Sequence, residues 1–184
     1  MVSIQAKTWF FLDIIQKGAI IKQNDEFHVK EGSWPQGTSL NKMMLYEKEN
    51  NLAILNGKEN KKHLDKSKQG SWEWTYSSTA RNSVRMARLC DFCKELFNLL
   101  ATTDRELKDC TDEAYKYAFS AHHPTAIQWA AWAAIKMVPK RQWFADELKM
   151  TDDKKEFSEL HAVFNKIRDN LFNFLVQNQL HELP

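Results

Sequence analysis

The stretch that most constrains what this chain can fold into runs from Thr79 to Leu100, T-A-R-N-S-V-R-M-A-R-L-C-D-F-C-K-E-L-F-N-L-L. Leu89, Phe92, Cys93, Leu96, Phe97 and Leu100 recur at three- and four-residue spacing, which predicts a helix with one buried stripe. At about 100° per residue, Arg85 falls inside that stripe and Arg81 sits at its margin. A solvated arginine would lie on the opposite face. A guanidinium on an apolar face is costly unless something anionic meets it. That anion is either an Asp or Glu of the chain itself or a ligand, and the helix alone leaves both open.

The rest of the chain is equally helical in its signals. Gly 5 and Pro 4 are too few for a turn-rich β-protein, while 7 Trp and 11 Phe supply a packed interior. Residues 4–23 carry apolar side chains on almost every face, with Asp13 and Lys17 one turn apart among them. Residues 24–78 are polar, with Pro35 and several glycines as breakers. Within them Met43, Met44, Leu45, Leu52 and Leu55 predict a short helix over 40–55. The lysine-rich run 57–70 reads as a solvated or mobile loop. Trp72, Trp74 and Tyr76 alternate just before the arginine helix, which reads as extended chain packed on the core or as aromatics at a lipid headgroup boundary, packing being the favoured reading. Thr111-Asp112-Glu113 predicts a helix start, and Pro124 a kink or a new helix. A short helix is expected over 141–149. Thr151-Asp152-Asp153 predicts the start of a last helix, whose stripe runs through Phe157, Leu160, Phe164, Ile167, Leu171, Phe174 and Leu175. About six helices in one all-α domain, 1–184, is the expected architecture.

Several chemistries are disfavoured by the same residues. Cys90-Asp-Phe-Cys93 has metal or redox spacing, but it lies on the apolar stripe without a second cysteine or histidine cluster. Three cysteines, an odd number, predict reduced thiols and a cytoplasmic protein. Nothing resembles a signal peptide or an apolar run of transmembrane length. His122-His123 lacks a nucleophile, a glycine-rich phosphate loop or an HExxH partner, so no enzyme, metal or cofactor is expected. A net charge of +2 gives no argument for nucleic acid, and a helix tracking phosphates would expose Arg85 rather than bury it. Two arginines, one histidine and an Asp/Lys pair beside an aromatic helical interior are instead the parts of a pocket for one lipid.

At this point the residues resemble the glycolipid transfer protein superfamily. T-A-R-N-S-V-R-M-A-R-L is similar to the family's headgroup helix, which carries two arginines four apart. The stretch A-Y-K-Y-A-F-S-A-H-H-P-T-A-I-Q-W-A-A-W-A-A-I-K-M-V-P-K-R resembles its A-Y…H-H-G-W…P-x-R segment, and F-L-D-I-I-Q-K its D-V-x-x-K pattern. The resemblance implies a two-layer helical sandwich with an enlarged polar connection at 24–78. Only twelve residues precede Asp13, which implies a sandwich without the family's first helix. It also implies a headgroup centre of Asp13, Lys17, Arg81, Arg85 and His123. Arg81 and Arg85 would bind a phosphate with help from Lys17, Asp13 would accept from the ceramide amide, and His123 would meet the acyl carbonyl or amide. Apolar walls would come from Leu89, Phe92, Leu96, Trp129, Trp132, Ile135, Phe164 and Leu171. Sugar-binding members place a tryptophan where this chain has Arg85. An indole stacks on a sugar, whereas a guanidinium grips phosphate. The pair therefore resembles the ceramide-1-phosphate branch, and implies a non-enzymatic, monomeric carrier that touches membranes transiently. A helical interaction or lipid-sensing protein that keeps the scaffold without transferring lipid is the alternative.

Overall fold

The computed structural model describes the backbone from Ser3 to Leu183 and the side chains from Gln16 to Leu183, Lys58 excepted. Among these residues there are seven α-helices: α1 Ser3–Lys30, α2 Leu40–Glu49, α3 Thr79–Thr102, α4 Leu107–Ala118, α5 Thr125–Ile135, α6 Arg141–Glu147 and α7 Asp153–Gln177. No strand forms among them, only one antiparallel bridge between Asn56 and Ser77. The fold is all-α.

The chain divides into two compact units, one of residues 1–12 and 87–170 and the other of 13–86 and 171–184. In the first, the stripe of α3 does what its spacing predicts. Phe92, Cys93, Leu96, Leu99 and Leu100 pack with Leu107, Cys110, Ala114 and Ala118 of α4 and with Phe157 of α7. Phe157 is fully buried, with the Phe97 and Phe144 rings each stacked 6.0 Å away. Arg141 closes the C-terminal end of α3. Its guanidinium donates to the carbonyls of Leu100 (2.7 Å) and Thr103 (2.6 Å), which a helix end leaves unpaired, and it pairs with Asp153 at 2.9 Å. Arg168 of α7 reaches Asp91 of α3 at 2.9 Å, with Lys94 on the same carboxylate.

In the second unit, α2 ends at Glu49 rather than near Leu55. Asn50 and Asn51 turn the chain, Asn51 with a φ of 57°, and the carbonyl of Glu47 accepts from the N–H of Leu52 and Ala53 beyond that turn. The lysine-rich run is not a formless loop. It holds 3₁₀ turns at Gly57–Lys62 and Lys66–Lys68, organised by the wholly buried Asn60. The Asn60 amide donates to the carbonyls of Glu73 (2.6 Å) and Tyr76 (2.7 Å), and its oxygen accepts from the Asn56 N–H. Trp72–Trp74 is another such turn, not extended chain. Tyr76 is buried as expected, while Trp72 remains 42% exposed with its ring 5.1 Å from Phe27.

One helix start and one helix end differ from their sequence signals. The fourth helix begins at Leu107, not at Thr111, whose hydroxyl donates back to the Leu107 carbonyl at 2.7 Å inside the helix. The first runs on to Lys30, so residues 24–30 belong to a helix and not to a polar connection. Pro124 starts a new helix, α5, and Asp152 caps α7 by accepting from the Lys155 N–H at 3.3 Å.

Candidate functional site

The head of α3 is built from its backbone upward. A helix start leaves four N–H groups without partners. Here Thr79 N–H and Ala80 N–H donate to the Glu47 carboxylate at 2.6 and 2.7 Å, and Arg81 N–H donates to the Ser78 hydroxyl at 3.1 Å. The Asn82 N–H reaches the Ser78 carbonyl at 3.1 Å, as in an ordinary helical turn. The Ser78 hydroxyl in turn donates to the Ala53 carbonyl at 2.7 Å, and the Asn24 amide donates to the Thr79 hydroxyl at 3.0 Å. Helices α1 and α2 thus fix where the arginine helix begins.

Tyr76 donates to Glu47 at 2.6 Å, and His28 Nε2 lies 3.0 Å from the Tyr76 oxygen. Burial pushes the Glu47 carboxyl above the usual range, and the bonds from Tyr76, Ala80 and Thr79 pull the other way without cancelling it. Burial likewise pushes His28 down against the opposing Glu31 charge, and pushes the Tyr76 phenol up. This polar cluster was not legible as a site. Its one signal is Glu47 itself, which shares the apolar stripe of Met43 and Met44.

The bridge between Asn56 and Ser77 then lays the 54–59 segment beside the arginines. Gly57 N–H donates to the Tyr76 carbonyl at 2.8 Å and Ser78 N–H to the Leu55 carbonyl at 3.0 Å. Arg81 is buried, with Nη1 3.4 Å from the Ile54 carbonyl and Nη2 3.9 Å from the Glu59 carboxylate. Arg85 is half-buried and donates to the Asn56 side-chain oxygen at 3.3 Å. Asn56 itself donates to Glu59 at 3.0 Å, which closes a chain Arg81–Glu59–Asn56–Arg85. The helical wheel ranked the two arginines in the opposite order, because it counted only the stripe and not the 54–59 segment that covers Arg81. The Asn56 bond and the nearby Lys62, Arg81 and Arg85 charges hold the Glu59 carboxyl below its usual range. Neither Asn56 nor Glu59 was singled out in the sequence, where both sit in an unpatterned polar run.

The other expected site residues are placed as follows. The Asp13 side chain lies outside the described residues. Lys17 is half-buried on α1, in the same unit as the arginines. His123 belongs to the other unit, where its ring stacks on Phe119 at 5.3 Å and Nδ1 lies 2.9 Å from the Tyr115 hydroxyl. The Gln128 amide donates to the carbonyls of Ser120 and His123 at 2.8 Å, which fastens the turn into α5. Of the expected apolar walls, Leu89, Phe92, Leu96 and Ile135 are buried, and Phe164 and Leu171 are partly so. Trp129 and Trp132 are instead 67% and 49% exposed. With Tyr115, Gln128 and Ile135 they line an open groove of about 320 Å³ between α4 and α5. All three cysteines are free and buried, and burial raises each thiol above its usual range. Among the described residues no cluster of metal-ligating side chains occurs, and no helix is long and apolar enough to cross a membrane.

Fold and site define an all-α domain whose paired arginines are mounted at the capped head of a long helix. The family model for glycolipid transfer protein matches residues 10–150, and the chain belongs to this family. Solved structures share the fold. Human ceramide-1-phosphate transfer protein in complex with 12:0 ceramide-1-phosphate superposes with a TM-score of 0.74 at 18% identity, over 99% of this chain and 80% of that one. The ligand-free mouse protein gives 0.70 at 19% identity, over 97% and 80%. A variant of Arabidopsis accelerated-cell-death 11 complexed with C12 ceramide-1-phosphate gives 0.60 at 21%, over 86% and 71%. No curated protein sequence matches the chain significantly.

Proposed function

We propose that this protein is a non-enzymatic carrier of one sphingolipid whose head contains a phosphate, ceramide-1-phosphate being the simplest such lipid. The observation that carries the reading is the arginine pair: two guanidiniums one turn apart on α3, both directed at acceptor oxygens of the same 54–59 segment. Such a pair suits the oxygens of a phosphate better than a sugar ring. Lys17 and Asp13 would serve the phosphate and the amide, and His123 the acyl carbonyl or amide.

The physical task of a carrier is to spare the lipid tails from water. Exposing about fourteen methylenes would cost roughly 11 kcal/mol at about 0.8 kcal/mol each. A transient approach to the membrane surface from the cytoplasmic side fits the exposed Ile127, Trp129, Trp132 and Met137, with Lys136 3.3 Å above the Trp132 ring. The same exposed tryptophans would also suit a protein partner, which keeps a non-transferring interaction protein as the second reading.

Transfer of labelled ceramide-1-phosphate between vesicles tests the proposal. Arg85→Ala is expected to abolish transfer with the melting temperature unchanged, because Arg85 is half-buried and outside the α3 core. Wild-type transfer rates in that variant would overturn the assignment. Arg85→Trp should not improve ceramide-1-phosphate transfer, and His123→Ala tests the imidazole by itself. Mass spectrometry of lipid extracted from the purified protein separates a carrier from a scaffold that binds no lipid.

A further inference from the structure

Glu59 gives the arginine pair an anion of the protein's own. Its carboxylate lies 3.9 Å from the Arg81 guanidinium and accepts from the Asn56 amide at 3.0 Å, while the Asn56 oxygen accepts from Arg85 at 3.3 Å. The Asn56 bond and the Lys62, Arg81 and Arg85 charges hold the carboxyl below its usual range, so it is ionised at neutral pH. Two features make this anion replaceable. The 3.9 Å contact is too long for a hydrogen bond, whereas a guanidinium reaches a phosphate oxygen at about 2.7–2.9 Å. The Glu59 side chain is also 53% exposed, so turning it into water leaves no buried charge behind. The backbone beneath it is pinned, because the Asn60 amide and the Gly57 N–H both donate to the Tyr76 carbonyl. Any exchange of partners is therefore one of side chains.

We propose that Glu59 is a built-in competitor of the lipid phosphate for Arg81 and Arg85, and that it restricts the site to phosphates backed by apolar tails. This rests on the reading that the arginines bind a lipid phosphate, and adds the residue that limits that binding. Loading exchanges one anion for another: the phosphate takes the guanidiniums, and the Glu59 carboxylate turns to solvent beside Lys62. The affinity for a phosphate is then a difference between two charged contacts. A water-soluble phosphate monoester has nothing further to offer and is turned away. A phosphorylated ceramide also removes its chains from water, and displaces the carboxylate. A phosphate monoester carries about −1.5 to −2 charges at neutral pH. A carboxylate left within reach of it repels it, which speeds release to an acceptor membrane.

The plainer alternative is a carboxylate that only holds Asn56 and Arg81 in place, and the two predict opposite signs. Uptake and release of ceramide-1-phosphate and of unphosphorylated ceramide are measured with vesicles for wild type, Glu59→Gln and Glu59→Ala, each checked by thermal melting. Both variants are expected to hold ceramide-1-phosphate about fivefold more tightly, the scale of one charge pair at about 4 Å in water. The gain should lie mainly in slower release. Ceramide binding should not change, and inorganic phosphate should inhibit ceramide-1-phosphate uptake more in the variants than in wild type. An unchanged or weaker hold on ceramide-1-phosphate overturns the inference, and with a lowered melting temperature it gives Glu59 the holding role. An equal gain for ceramide also overturns it, and equal inhibition by inorganic phosphate overturns the exclusion of soluble phosphates. In each of those cases, transfer of ceramide-1-phosphate that depends on Arg85 leaves the underlying reading standing. No uptake of ceramide-1-phosphate by any of the three proteins overturns both.

Discussion

Glu47 of α2 caps α3 by accepting from the Thr79 N–H at 2.6 Å, thirty-two positions along the chain. The same carboxylate takes the Ala80 N–H and the Tyr76 hydroxyl, so one buried side chain satisfies three donors that would otherwise be orphaned. Truncating it by Glu47→Ala should cost about 3 kcal/mol, since buried donors left unpaired cost about 1–3 kcal/mol each and partly relax. Urea denaturation measures it. The loss should carry over to transfer, because Arg81 and Arg85 are aimed by the helix that Glu47 starts.

The pH dependence of that residue has a definite sign. Its carboxyl is raised in the fold by burial, so its stabilising contribution is complete below the ordinary glutamate value of 4.5 and shrinks as pH rises through the raised value. Glu47→Gln cannot ionise. Its cost relative to wild type should therefore be larger at about pH 4 than at about pH 8, by denaturation at both.

Glu73 works in the opposite direction. Bonds from Lys68 (2.8 Å) and Ser71 hold its carboxyl at about 2. Its contribution is present above 4.5 and is lost as pH falls through about 2. Glu73→Gln should flatten that acid limb by about 1 kcal/mol, a modest figure because Lys68 is half exposed and screened. An unchanged acid limb would remove Glu73 from the account.

Asn60→Ala should be costly for a residue in a lysine-rich run. It strips the donors from two carbonyls and the acceptor from the Asn56 N–H, for about 2–3 kcal/mol. Because these bonds pin the 56–60 turn, the variant should also lose lipid-head discrimination in the vesicle assay.

Trp129→Ala should do the reverse. At 67% exposed it holds little of the core, so stability should change by less than about 0.5 kcal/mol. Vesicle co-sedimentation should fall severalfold. Unchanged sedimentation would take this face out of the membrane reading.

The α3 stripe, the break at Pro124, the cap at Asp152 and the long amphipathic α7 were legible in the chain because each is set by local periodicity or by one turn of capping chemistry. The arginine pair could be read as unusual for the same reason: a wheel places Arg85 among apolar residues without any knowledge of the fold. What meets those arginines was decided only in three dimensions. Asn56 and Glu59 arrive through a backbone bridge to Ser77, and Glu47 arrives from another helix. Hydrogen bonds between residues 21 to 33 positions apart leave no period in a sequence. The amino-acid order therefore determined where charge sits on the helix, and the tertiary contacts decided that Arg81 is the covered guanidinium and that a carboxylate stands beside the pair.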